Sequence, residues 1–110
     1  MASVERAAPE QYRLRTLGGF SLLQRFESEL DGWEDTGLGE KPCALLAYLI
    51  WRGNDVPRAA LAELLWEGAE SSRARNSLRQ ALFRIRAVLG ASAVVEGSEG
   101  VRLLQALELD

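Results

Sequence analysis

The sequence predicts one α+β domain in which short N-terminal antiparallel strands precede three helices and a C-terminal β-hairpin. Three observations carry this. Apolar residues alternate around Gly18-Gly19, three helix-spaced apolar stripes each end at a glycine, and two apolar stretches flank a Gly-rich turn near the end. At 110 residues and 47% hydrophobic composition, the chain has the length of one domain and enough apolar side chains for a modest core.

The elements follow in order. Residues 1–11 hold Ala, Ser, Pro and charges without periodicity and read as a frayed lead-in, which places the domain at residues 12–110. Tyr12, Leu14, Leu17, Phe20, Leu22 and Leu23 then fit two short strands joined by a turn at the glycine pair. Residues 27–39 are acidic and dotted with glycine; Asp31-Gly32 is a turn candidate, and Trp33 anchors a short third strand. Residues 40–52 are apolar nearly all round, with Leu45, Leu46, Leu49 and Ile50 at helical spacings and Gly53 in place for a C-terminal cap. A buried first helix is expected there. Pro57 suits the first position of a second helix, striped by Leu61, Leu64 and Leu65 and ended by Gly68. Ser71 or Ser72 is expected to cap a third helix, because a serine hydroxyl accepts from an unpaired N–H of the first turn. Its core face is Ala74, Leu78, Ala81, Leu82, Ile85 and Leu89, up to Gly90. Val94-Val95 and Val101 to Leu104 around residues 96–100 read as the hairpin.

Several function classes are excluded by what is missing. The longest apolar run, residues 43–51, is nine residues, whereas a membrane-spanning helix needs about 20. With Glu5, Pro9 and Glu10 near the start, the N-terminus does not read as a secretory signal, so a soluble, cytoplasmic protein is expected. One cysteine, Cys43, and no histidine leave no internal disulfide and no Cys/His zinc site. No metal or cofactor is expected. Ser-His and Cys-His nucleophiles are absent as well, and a carboxylate hydrolase built on Asp31, Glu34 and Asp35 would lack a nucleophile or cofactor signature. The expectation is a non-enzyme.

Net charge is -3, against the basic balance usual for nucleic-acid partners. The charge is segregated, however. Five of the 13 basic residues (Arg73, Arg75, Arg79, Arg84, Arg86) fall within residues 71–89, and none of the 16 acids does. With the leucine stripe inward, Arg73, Asn76, Arg79, Gln80, Phe83 and Arg84 face outward, while Arg75 and Arg86 lie on the flank. Arginine donates two parallel bonds to guanine, glutamine does likewise to adenine, and flanking arginines neutralise phosphates. The plainer reading is a solvated face. Solvated faces normally mix signs, and this one does not.

The stretch Ser72-Arg73-Ala74-Arg75-Asn76-Ser77-Leu78-Arg79-Gln80-Ala81-Leu82-Phe83-Arg84-Ile85-Arg86-Ala87-Val88-Leu89-Gly90 resembles the recognition helix of OmpR/PhoB-type winged helices. It is most similar to the version heading the antibiotic regulatory proteins of actinomycetes and related activators with a bacterial transcriptional activation domain. The family's Arg-Leu-Arg is here Arg84-Ile85-Arg86, followed by Leu89-Gly90. The likeness extends to Leu14-Arg15-Thr16-Leu17-Gly18-Gly19-Phe20, to residues 41–49, to Leu61-Ala62-Glu63-Leu64-Leu65-Trp66 and to the wing at residues 97–103, so it covers about residues 12–110.

This resemblance implies a winged helix-turn-helix with double-stranded DNA as partner, the RNA polymerase holoenzyme as a candidate second partner, and protomers in tandem on direct repeats; with a net charge of -3 and no visible oligomerisation segment, the isolated domain is expected to be a monomer. It places base contacts on Arg79, Gln80 and Arg84 and a phosphate contact on Arg86. Arg73, Arg75, Asn76 and Arg102 are further phosphate candidates, Arg102 against the plainer reading of a solvated strand charge. The chain has Gly100-Val101-Arg102 where the family's wing usually has Gly-Tyr before the arginine, and Glu96 and Glu99 put negative charge there. A winged-helix protein-interaction module with weak or lost DNA affinity is therefore the alternative. Trp66 is expected in the core in preference to the DNA backbone, and Cys43 is a small buried hydrophobe. Phe83 either packs on thymine methyls or covers the start of the wing.

Overall fold

The computed structural model of the chain describes residue 9, residues 11–26 and residues 32–109. Gly18 and Gly19 take φ of 80° and 123°, a region open to residues without a Cβ, and turn the chain back on itself. Strands β1 (Gln11–Arg15) and β2 (Ser21–Arg25) thereby pair antiparallel with Leu14 opposite Leu22, and both leucines are fully buried. β3 (Glu34–Asp35) adds to β2 just after Trp33, over whose ring the Arg13 guanidinium sits at 4.3 Å. Of the expected lead-in, only Pro9 and Gln11 are described, and Gln11 already pairs with Arg25. Asp31 of the expected Asp31-Gly32 turn lies outside the described residues.

Three helices follow. α1 (Glu40–Arg52) buries Cys43, Leu45, Leu46 and Leu49, and Gly53 closes it at φ 70° by donating its N–H to the Leu49 carbonyl. The helix is not buried all round, because Trp51 is 76% exposed. α2 (Arg58–Leu65) buries Leu61, Ala62 and Leu65. Pro57 is its N-cap and not its first helical residue: Val56 exchanges backbone hydrogen bonds with Val101, which holds the chain extended into Pro57 at ψ 139°. α2 ends at Leu65, before Gly68. α3 (Ser71–Leu89) buries Ala74, Leu78, Ala81, Leu82 and Ile85, with Leu89 partly buried.

The expected serine cap is corrected. Glu70 is the extended N-cap, no side chain caps the helix, and Ser71 and Ser72 are already helical; Ser72 Oγ donates to Glu70 Oε1 at 2.7 Å. Both serines lie past the position from which a hydroxyl reaches the orphan N–H groups.

The hairpin consists of β4 (Val94–Gly97) and β5 (Gly100–Leu103), with Val101 buried against α1 and bridged to Val56. A further short strand, β6 (Glu108–Leu109), runs parallel to β1 and completes a four-stranded sheet of order β3-β2-β1-β6. The resulting architecture is α+β, with N-terminal strands, three helices and a C-terminal hairpin around one core. Tyr12 ties the sheet to α3 by donating its hydroxyl to the Val88 carbonyl at 3.0 Å, and burial raises its pKa above 10.0. Trp66 is half-buried against the core. Cys43 is fully buried; burial, reinforced by the Asp35 carboxylate, pushes its thiol up to about 11. No helix among the described residues is long and apolar enough to cross a membrane.

Candidate nucleic-acid interface

α3 owes its two-sided character to its sequence period. Ala74, Leu78, Ala81, Leu82 and Ile85 recur at three- and four-residue steps, so packing them inward forces the polar residues out. Arg73, Arg75, Asn76, Arg79, Gln80, Phe83 and Arg84 are all exposed, and Arg86 is half-buried. Phe83 is 71% exposed, so it does not cover the start of the hairpin.

The arginines differ in what holds them. Arg79 Nη2 donates to Asn76 Oδ1 at 3.0 Å, a one-turn pair on the crest of the helix. Arg84 leans over the opposite shoulder, where its Nη2 donates to the Gly37 carbonyl at 3.1 Å in the loop before α1. Gln80 lies between them on the crest. Arg75 turns to the α2–α3 side and lines a surface cavity with Glu63, Trp66 and Ser71. Arg86 reaches the hairpin, its Nη2 donating to Glu96 Oε2 at 2.8 Å.

The hairpin beside α3 is less acidic than its sequence implies. Glu96 is shared between Arg86 and Arg58, the first residue of α2. Burial alone would raise its pKa, but the bonds and charges of Arg86 and Arg58 outweigh that and hold it below 4.5. Arg102 stands across the hairpin from Val95, its Nε 3.6 Å from Asp55 Oδ1. Of the predicted residues, Asn76, Arg79, Gln80 and Arg84 gather on one exposed face, whereas Arg75, Arg86 and Arg102 stand apart from it.

Sequence reasoning missed Arg58, Asp55 and Gly37. Their partners lie 38, 47 and 47 positions away, beyond any local spacing signal. Of the acids weighed for hydrolysis, Glu34 accepts from Gln24 Nε2 at 3.1 Å, Asp35 accepts from the Gly37 N–H at 2.8 Å, and Asp31 lies outside the described residues. No protein-family model, curated protein or solved structure matches the chain.

Proposed function

We propose that the chain is a winged helix-turn-helix domain that binds double-stranded DNA, the promoter-recognition part of a bacterial transcriptional regulator of OmpR/PhoB type, with α3 in the major groove. The observation that carries this is the exposed face of α3: arginines and amides without an acid, on a chain whose net charge is -3. A helix of 19 residues is about 28 Å long, and the major groove admits a helix of this diameter. Arg79, Gln80 and Arg84 are the base-reading set. Arg73, Arg75, Asn76, Arg86 and Arg102 are placed against phosphates. Read as a wing, the hairpin holds Glu96 at the flank of the helix, between Arg86 and Arg58, while Arg102 points to the other side, beside Asp55. An activator of this kind would also contact the RNA polymerase holoenzyme.

The test is a titration of random-sequence and selected duplexes at two or more salt concentrations. Affinity should fall steeply with salt, and Arg86→Ala should weaken both duplexes and flatten the log–log slope by about one unit. A protein that ignores every duplex at low salt would instead be the interaction module.

A further inference from the structure

A carboxylate among the arginines of a DNA-binding surface calls for a reason. Glu96 sits on β4 with its side chain 30% exposed, and its two oxygens are divided. Oε1 accepts from Arg58 Nη1 at the start of α2, and Oε2 accepts from Arg86 Nη2 at 2.8 Å in the last turn of α3. Three elements therefore converge on one anion. A guanidinium offers five donors in a planar fork, so each arginine gives Glu96 one bond and keeps the rest. Two cations around one anion leave the cluster net positive. Two guanidiniums aimed at the two oxygens of one oxyanion also match a phosphodiester, which presents two non-bridging oxygens.

We propose that Arg58 and Arg86 form one phosphodiester site, which the Glu96 carboxylate fills in the free protein and a duplex phosphate takes over on binding. The inference rests on the duplex-binding reading and extends it, adding Arg58 to the contact surface and making Glu96 an internal competitor. Binding then breaks two ion pairs before it gains the phosphate, which lowers affinity and blunts its salt dependence. Glu99 provides the control. It lies in the turn of the same hairpin, is exposed, and has no ion partner among the described residues, so removing its charge alters net charge equally without freeing an arginine.

The experiment compares Glu96→Gln with Glu99→Gln, each with and without Arg58→Gln, by duplex titration across salt. Glu96→Gln should bind random duplex about fivefold tighter than Glu99→Gln, with a log–log salt slope steeper by about one to two units, and Arg58→Gln should cut that gain to the share that Arg86 supplies. In a second arm, inorganic pyrophosphate is titrated while the Nε–Hε signals of Arg58 and Arg86 are followed by NMR; both should move at lower concentration in Glu96→Gln than in wild type. If wild type binds duplex but Glu96→Gln behaves as Glu99→Gln in both arms, the inference is overturned and duplex binding stands. If no protein binds duplex while pyrophosphate still moves both arginine signals, the oxyanion site stands and duplex binding falls. Silence in both arms overturns both.

Discussion

A Cβ added at Gly100 would stand 2.3 Å from the Val56 carbonyl oxygen, an atom held in place by its bond from the Val101 N–H. Gly100 also has φ 130°, where side chains are strained. Gly97, directly opposite, has neither constraint: nothing lies within 4 Å of its added Cβ. Gly100→Ala should therefore cost about 2 to 4 kcal/mol of stability, whereas Gly97→Ala stays within about 0.5 kcal/mol of wild type. Urea unfolding of the two variants decides this, and equal midpoints would show that the hairpin shifts to accept the methyl. The residue matters beyond stability because the same backbone exchange sets Pro57 and, one residue on, Arg58 at the head of α2.

At the scale of the element, α3 carries the proposed function. Arg84 in the free protein donates to the Gly37 carbonyl, so reading a base requires it to release that loop or to share its remaining donors. Arg84→Ala should cost about 1 to 3 kcal/mol on the preferred site and relax preference at one guanine, with a smaller loss on random duplex. Arg84→Lys restores only part, because an ammonium lacks the planar fork. A variant that stays folded by circular dichroism and ranks sites as before would reassign Arg84 to holding the β3–α1 loop. The inward and outward faces of α3 were legible from a 3.6-residue period, as were the glycines that stop α1 and α3. What the arginines hold was not. Arg84 meets Gly37 from 47 positions away and Arg58 meets Glu96 from 38, and no periodicity reports contacts that depend on how elements pack. β6 escaped notice similarly: two residues long, it is fixed by a partner strand from the other end of the chain, where Arg13 bonds Glu108 across 95 positions. The serine cap differs for a local reason: the Ser-Ser pair offers cap chemistry, but at positions that are already helical, so Glu70 stands at the N-cap instead.

For the molecule as a whole, charge and shape together govern how copies behave. Five of the 13 cations lie on α3 while net charge stays at -3, so the proposed binding to DNA would gain little from long-range attraction and would depend on short-range contacts at that helix. Among the described residues, large exposed apolar side chains occur at Leu17, Phe20, Trp51, Leu64, Phe83, Leu104 and Leu109, and Tyr48 links two of them across α1 and α2, its ring 5.6 Å from that of Trp51 and lining a surface cavity with Leu64. On the proposed reading the chain is a monomer without DNA, and the duplex brings its copies together. The Cα extents are 48 × 30 × 24 Å, and neighbouring sites one DNA turn apart leave about 34 to 36 Å per protomer. Two copies fit side by side only when their long axes do not run along the duplex. Sedimentation without DNA should therefore report a monomer, and a duplex carrying two directly repeated half-sites one turn apart should take up two. Inserting about half a turn between the half-sites rotates the second copy to the opposite face, so any advantage of the second binding event over the first should vanish. A stable dimer in the absence of DNA would contradict this arrangement. Equal uptake at both spacings would show instead that the two copies bind without touching.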